Sequence, residues 1–434
     1  MDLNAFRHST AAGVARRAIY RLLVGDPWPP TLRAIRDEPI APLASSNVYV
    51  HLPFCESRCP HCPYTAFVAG SDRRAAYGAA LRREIARYLE LANAPAVSSL
   101  YFGGGTPSLT PELVEAVLSH FRERLTPAAE VGVEVHPRDA QPSLLRRLRE
   151  AGATRVSLGI ETLDPALLRL LGRRYTPEQA LETIDAARRI GFECVDANLI
   201  FGIPGQTPDQ AERDAERVMA RGVDQISAYP LFSFAYTPMG RALAERKISP
   251  ASDRSRLEAQ RRISAACRRH GLERTSVWSF TRRGIAPYST VTRDSYVGFG
   301  VGAGSHVDGE LRFNTFSLGA YISADGPAAT LRLVPSERFR RVHWIYWQIY
   351  KTALDPRHYR AVFARDLERD WRPWLDLLRF LGLARRSNDG GVWRLTERGA
   401  IWVHRAQALF SLAYIDELWS RARLEPYPSR VELR

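Results

Sequence analysis

The chain has 434 residues, 45% of them hydrophobic and 25% charged, ordinary proportions for a folded globular protein, so wholesale disorder is excluded. No run of about eighteen apolar residues occurs, and the opening Met1–Thr10 lacks the apolar stretch of a secretion signal, so neither a membrane span nor export is expected and a cytoplasmic protein is. The net charge of +14 rests almost wholly on Arg scattered among Asp and Glu, and the absence of a concentrated basic arm argues against a nucleic-acid partner.

Residues 1–46 read as a helical, Pro-rich lead-in (Pro27, Pro29, Pro30, Pro39, Pro42) with an amphipathic helix near 11–23. Short β-rich runs then alternate with longer Arg/Leu/Ala stretches. The runs predict strands at Val48–Leu52, Ser99–Phe102, Val131–Val135, Arg155–Leu158, Cys194–Ile200 and Gln225–Tyr229. The stretches between them predict helices over about 72–92, 111–124, 141–151, 176–190 and 208–221. Such alternation implies a parallel sheet with right-handed crossovers. Six units are too few for a closed eight-stranded barrel and suit an open partial barrel over 47–240. An extension over 241–335 carries a helix near 252–270, short strands within Glu273–Ser279 and a Gly-rich strand in the stretch Gly298–Gly304. Seven of the nine Trp fall after residue 336. There, helices and a turn at Asn388–Gly391 between two short strands predict a mainly helical, winged-helix-like domain over 336–434.

Five cysteines are present, an odd number with no export signal, so a disulfide framework is not expected. Cys194 and Cys267 stand alone in apolar surroundings and read as small core residues. Cys55, Cys59 and Cys62 crowd into eight residues directly after the first predicted strand, at spacing C-x3-C-x2-C. Thiolates gathered at one locus can hold an iron–sulfur cluster. Zinc is the alternative, but it prefers four closed ligands, and only His51 or His61 stands close enough in sequence to complete the set. Three cysteines on a [4Fe–4S] cluster leave one iron open to a ligand.

The second strand runs into Gly103-Gly104-Gly105-Thr106-Pro107, where missing side chains let the backbone approach a ligand. Glu134 and Glu161 lie at the ends of later strands, on the same carboxyl edge of the sheet, where parallel α/β folds bind ligands. With the cysteines they read as groups for a ligand bearing ribose hydroxyls and an ammonium.

Tyr49-x-His51-x-Pro53-Phe54-Cys55-x3-Cys59-x2-Cys62, Gly103–Ser108, Arg155–Ile160 and Leu199–Thr207 together resemble the radical S-adenosylmethionine (radical SAM) family of oxygen-independent coproporphyrinogen III oxidase. The resemblance covers roughly residues 47–310. It implies an α/β fold, a partial (β/α)6 radical SAM barrel, with a [4Fe–4S] cluster and two S-adenosylmethionine molecules. Carried over by position, Cys55, Cys59 and Cys62 are the cluster ligands. Tyr49, Gly104, Glu134 and Gly304 match contacts to the first S-adenosylmethionine. His61, Gly105, Thr106, Glu161, Arg173, Asn198 and Phe232 match the surroundings of the second, with Arg173 placed to pair with its carboxylate.

Four departures bear on the subfamily. Tyr64 stands where the parent oxidase has a further Cys. Glu161 and Asn198 replace a Gln and an Asp, an exchange of amide and carboxylate. Ala286–Val291 lacks the His and Trp of the family's heme-handling run. The segment Tyr229–Pro238 is more aromatic than the parent's. These point to the class C radical SAM methyltransferases and cyclopropanases, which transfer one carbon as methyl or methylene to an sp2 carbon in natural-product, including antibiotic, biosynthesis. The alternative is a porphyrin- or heme-related enzyme: a coproporphyrinogen III decarboxylase, a heme chaperone or a heme-cleaving methyltransferase. The expected partners are a small-molecule or biosynthetic-intermediate substrate and an electron donor such as flavodoxin or ferredoxin, with no membrane.

Overall fold

A computed structural model describes residues 9–35, 45–91, 95–287, 293–307, 309–324, 329–388, 391–425 and 428–434. Pro39 and Pro42 of the lead-in, most of Ala286–Val291 and the centre of the turn at Asn388–Gly391 lie outside them.

The main sheet begins as the sequence predicts. β-Branched and aromatic runs form β2 (Asn47–Leu52), β3 (Val97–Gly104), β4 (Leu125–Val135), β5 (Arg155–Glu161), β6 (Cys194–Phe201) and β7 (Gln225–Pro230), counting a short β1 (Thr31–Ala34) ahead of them. All six run parallel in sequential order. Val48, Val50, Leu100, Phe102, Val133, Val156, Leu158 and Ala197 are fully buried, as strands covered by helices require.

Local signals set the intervening helices. Thr176 and Thr207 cap the helices Pro177–Ile190 and Pro208–Met219, each in a reciprocal box with a Gln three residues on. Each of these helices has Pro at its first position, and Gly191 ends the first in the left-handed conformation.

Two pairings were not legible: that of the Gly-rich strand with β2, and a second sheet. After β8 (Leu272–Arg274) and β9 (Ser279–Arg282), the residues Val297–Phe299 form β10, which pairs in parallel with β2 and adds a seventh parallel strand. At the far edge β9 and β8 pair antiparallel beyond β7. A second sheet has the order β11-β12-β13-β1-β17, from β11 (Gly304–Val307), β12 (Glu310–Asn314), β13 (Ala329–Leu333) and β17 (Arg430–Glu432). It brings the lead-in and the last residues of the chain together, with Leu32 opposite Val431.

The C-terminal region has the expected winged-helix-like order. Helix Glu337–Tyr350 precedes β14 (Ala353–Leu354), the helices Pro356–Phe363 and Leu367–Phe380, and the hairpin of β15 (Ala384–Arg386) and β16 (Trp393–Leu395). Trp344, Tyr359, Leu367, Leu375 and Trp393 form its core. Among the bonds that tie it to the barrel, Val277 N–H donates to the Tyr350 carbonyl at 2.9 Å, and Arg274 pairs with Glu397 at 2.8 Å.

Candidate active site

The loop that leaves β2 is closed on itself. Phe67 N–H donates to the Pro53 carbonyl at 2.7 Å, and Cys55 N–H to the Phe67 carbonyl at 3.0 Å. Cys55, Cys59 and Cys62 therefore lie on one compact, half-buried loop, all as free thiols. Burial raises each thiol, Cys62 to about 12, while the Arg173 guanidinium pulls all three the other way. Thr106 Oγ1 donates to the Cys55 sulfur at 3.4 Å.

The Gly run of β3 lies against this loop. Gly105 N–H donates to the Leu52 carbonyl and Thr106 N–H to that of Phe54, both at 2.8 Å. A Cβ on Gly105 would stand 2.7 Å from the Phe54 oxygen. That neighbour is backbone and cannot rotate away, so Gly105→Ala is expected to shift the cysteine loop. The check is iron retained after anaerobic reconstitution, which should fall well below wild type; an unchanged iron content would refute it.

Glu134 accepts from Tyr101 Oη at 2.7 Å and from Gly104 N–H at 3.2 Å. Burial raises its carboxyl, and those two donors oppose the rise. Gly104 has φ +116°, and a side chain there would strike His51. His51, the zinc candidate, is committed elsewhere. Its Nε2 bonds the Thr65 carbonyl and its Nδ1 bonds Tyr49 Oη, both at 2.8 Å. Burial lowers it to about 4, so it is a neutral bracket holding Tyr49 rather than a metal ligand.

Glu161 and Arg173 meet in a buried ion pair. Gly172, at φ +73°, sits against Pro60 and Cys59, which brings Arg173 onto the cysteine loop. Glu161 has φ +61° at a bulge in β5, a conformation costly for a residue with a Cβ and held only by its surroundings. Burial alone would lower the Arg173 guanidinium, but Glu161 carries it upward. His61 is pushed down to about 3, by burial first and Arg173 second. His61 Nδ1 and Arg173 Nε are buried with no hydrogen-bond partner among the described residues. Both atoms can still form a hydrogen bond to a ligand.

Asn198 Nδ2 donates to Ser157 Oγ at 2.7 Å, on the neighbouring strand. Phe232 follows β7 in a segment that docks on the cysteine loop through Met239 N–H to the Pro60 carbonyl, 2.9 Å, and Tyr236 Oη to that of Pro63, 3.3 Å. Gly304 begins β11 opposite Phe313, with its carbonyl against Gly298 of β10, the register partner of Tyr49 on β2. Above the loop, Tyr64 leaves 57% of its surface open, yet surrounding protein raises its phenol. Tyr229 and Tyr350 are close enough for its charge to act on their phenols.

The donor set fits an iron–sulfur cluster: three cysteines on one loop, a hydroxyl donor to one sulfur and a cation beside all three. Among the described residues no three Cys, His, Asp or Glu side chains form a ready-made metal cluster. The thiols share a loop without being drawn to one point. Spacing in the sequence had marked the cysteines, the Gly run and both Glu. It gave no sign of the Glu161–Arg173 pair, of His51 as a bracket or of Ser157 and Asp196 beneath Asn198.

Residues 49–218 match the Radical SAM superfamily, which implies a [4Fe–4S] cluster and S-adenosylmethionine. The heme chaperone HemW of Bacillus subtilis is 27% identical over 64% of this chain and 75% of its own length. HemW of Mycobacterium tuberculosis is 35% identical over 48% of this chain and 55% of itself. The oxygen-independent coproporphyrinogen III oxidase of Pseudomonas aeruginosa is 35% identical over 50% and 48%. This chain thus spans about half the length of the last two. Coproporphyrinogen III oxidase from Escherichia coli superposes with a TM-score of 0.69 at 25% identity, over 84% of this chain and 89% of that one. These relatives overturn the expectation of a methyltransferase or cyclopropanase in natural-product biosynthesis. The departures at Tyr64, Glu161 and Asn198 are single side chains at the barrel mouth, and the architecture around them remains that of the heme-related proteins.

Proposed function

Because the chain carries a radical SAM domain of the coproporphyrinogen III oxidase and HemW kind, we propose that it acts on a tetrapyrrole of the porphyrinogen class held over the barrel mouth. The observation that carries this reading is the likeness to the Escherichia coli oxidase over 84% of the chain, far beyond the 49–218 segment. When bound, the cluster and S-adenosylmethionine supply reductive cleavage of the sulfonium and the hydrogen-atom abstraction that follows.

The residues divide the remaining work. Cys55, Cys59 and Cys62 hold three irons. Tyr49, Gly104, Glu134 and Gly304 serve the first S-adenosylmethionine, with Glu134 as the fixed acceptor for its polar hydrogens. His61, Gly105, Thr106, Glu161, Arg173, Asn198 and Phe232 surround a second adenosyl ligand. Arg173, already held by Glu161, keeps its remaining N–H groups for that ligand's carboxylate. The rings of Tyr64, Tyr229 and Tyr350 give a flat apolar substrate its walls and exclude water. The electron comes from a flavodoxin or ferredoxin.

The test is anaerobic reconstitution with S-adenosylmethionine, a reductant and coproporphyrinogen III. The expected result is 5′-deoxyadenosine together with a porphyrinogen lighter by one carbon dioxide and two hydrogens for each propionate converted to a vinyl group, one hydrogen leaving in the 5′-deoxyadenosine and the other as a proton and an electron. The likeness to HemW over 75% of that protein favours a second reading, heme carriage. Stoichiometric hemin binding with no change in porphyrinogen would select it. Indifference to both tetrapyrroles would overturn the proposal.

A further inference from the structure

A column of polar side chains runs through the barrel interior beneath Asn198. Asp196 is two residues back on β6 and is 2% exposed. Ser157, its register partner on β5, donates Oγ–H to Asp196 Oδ2 at 2.8 Å. Ser227 on β7 donates to Oδ1 at 3.0 Å. Gln225 Nε2 donates to Ser227 Oγ at 3.1 Å, and Thr281 Oγ1 on β9 to Gln225 Oε1 at 3.0 Å.

The chain of donors has one consistent direction. A serine hydroxyl has a single proton. Ser157 gives that proton to the Asp196 carboxylate, so its oxygen accepts from Asn198, and only the NH2 of the amide can supply that bond. Asn198 is partly exposed, and its amide oxygen, with no partner among the described residues, is the atom left to meet a ligand. We propose that Asp196, acting through Ser157, fixes the Asn198 amide with its oxygen outward, so that this position takes a hydrogen-bond donor, a ribose hydroxyl of the adenosyl ligand. Asp196 is a positioning residue and touches no ligand. The inference rests on Asn198 facing that ligand, as placed under the proposed function.

The same logic gives a pH signature. Burial lifts the Asp196 carboxyl to about 7 against the pull of Ser157, Ser227 and Gln225. The groups facing it are those three, Glu134 on β4, Tyr229 on β7 and Cys194 on its own strand. Once protonated, Asp196 donates to Ser157, Ser157 donates to the Asn198 oxygen, and the amide turns its NH2 outward. The ligand hydroxyl then loses its acceptor.

Equilibrium dialysis of labelled S-adenosylmethionine against the cluster-reconstituted protein at pH 8 and pH 6 tests this, with circular dichroism to verify folding. The wild type is expected to bind more weakly at pH 6. Asp196→Asn, which can donate to Ser157 at any pH, should weaken binding about tenfold at pH 8, or remove one equivalent, and abolish the pH difference. Ser157→Ala should match it, and Ser157→Thr, which keeps the hydroxyl, should restore binding. If Asp196→Asn fails to fold, the Ser157 pair decides. Wild-type binding at pH 8 by Asp196→Asn, or by Ser157→Ala, overturns the inference. Asn198→Leu separates the two levels. If it binds normally, Asn198 does not face the ligand and that placement falls. If it weakens binding while Asp196→Asn does not, only the positioning role falls.

Discussion

Replacing Cys59 with Ala should abolish the iron–sulfur cluster. Cys55, Cys59 and Cys62 occupy one loop closed by the Phe67–Pro53 and Cys55–Phe67 backbone bonds, so no other thiol can move in to substitute. Cys194 and Cys267 are wholly buried in the barrel core, on β6 and on the helix Asp253–Arg269. With two thiolates a cubane would have two irons without a protein ligand, and such a cluster is readily lost. The expected result is background iron and no visible absorption in Cys55→Ala, Cys59→Ala and Cys62→Ala, against full iron in Cys194→Ala and Cys267→Ala. Iron content and absorption after anaerobic reconstitution measure it. Full retention in Cys59→Ala would end the assignment.

What could be read from the sequence was whatever depends on neighbours in the chain. The cysteine triad, the Gly103–Gly105 run and the six strands from β2 to β7 are local patterns of spacing or alternation. The hidden parts depend on partners far apart. β10 lies in the Gly-rich stretch that reads as a strand, but its three residues do not show that it pairs with β2 some 250 residues earlier. β1 and β17, of four and three residues, join opposite ends of the chain. Within the site, His51 looked like a possible zinc ligand because its bonds to Tyr49 and the Thr65 carbonyl exist only in the fold. Arg173 looked free to bind a carboxylate because nothing in its flanking residues shows that a bulge at Glu161 turns a carboxylate toward it. The subfamily is hard to read from local motifs for a related reason: side chains at the mouth differ one by one, while the identity of the scaffold is spread over the whole chain.

Removing the cation of the Glu161–Arg173 pair should destabilise the protein more than removing the pair. Their side chains are 11% and 13% exposed, so each charge has left water and depends on the other. Arg173→Met fills most of the space but leaves the Glu161 carboxylate buried and unpaired, which should cost about 3–5 kcal/mol. Adding Glu161→Gln removes that orphaned charge and keeps a side chain of similar shape at φ +61°, so at least half of the loss should return. The pH dependence has a definite sign. Burial already raises the Glu161 carboxyl, opposed by Arg173. Without Arg173 it rises further, and the folded state then holds a proton that the unfolded state releases near its ordinary value. The deficit of Arg173→Met is therefore full above the raised folded value and shrinks as the pH falls toward the unfolded one. Denaturant titrations at pH 5 and pH 8 on wild type, single and double variants read both effects. Equal destabilisation of Arg173→Met at the two pH values, with no recovery in the double variant, would show that Arg173 contributes packing alone and that Glu161 is held by something else.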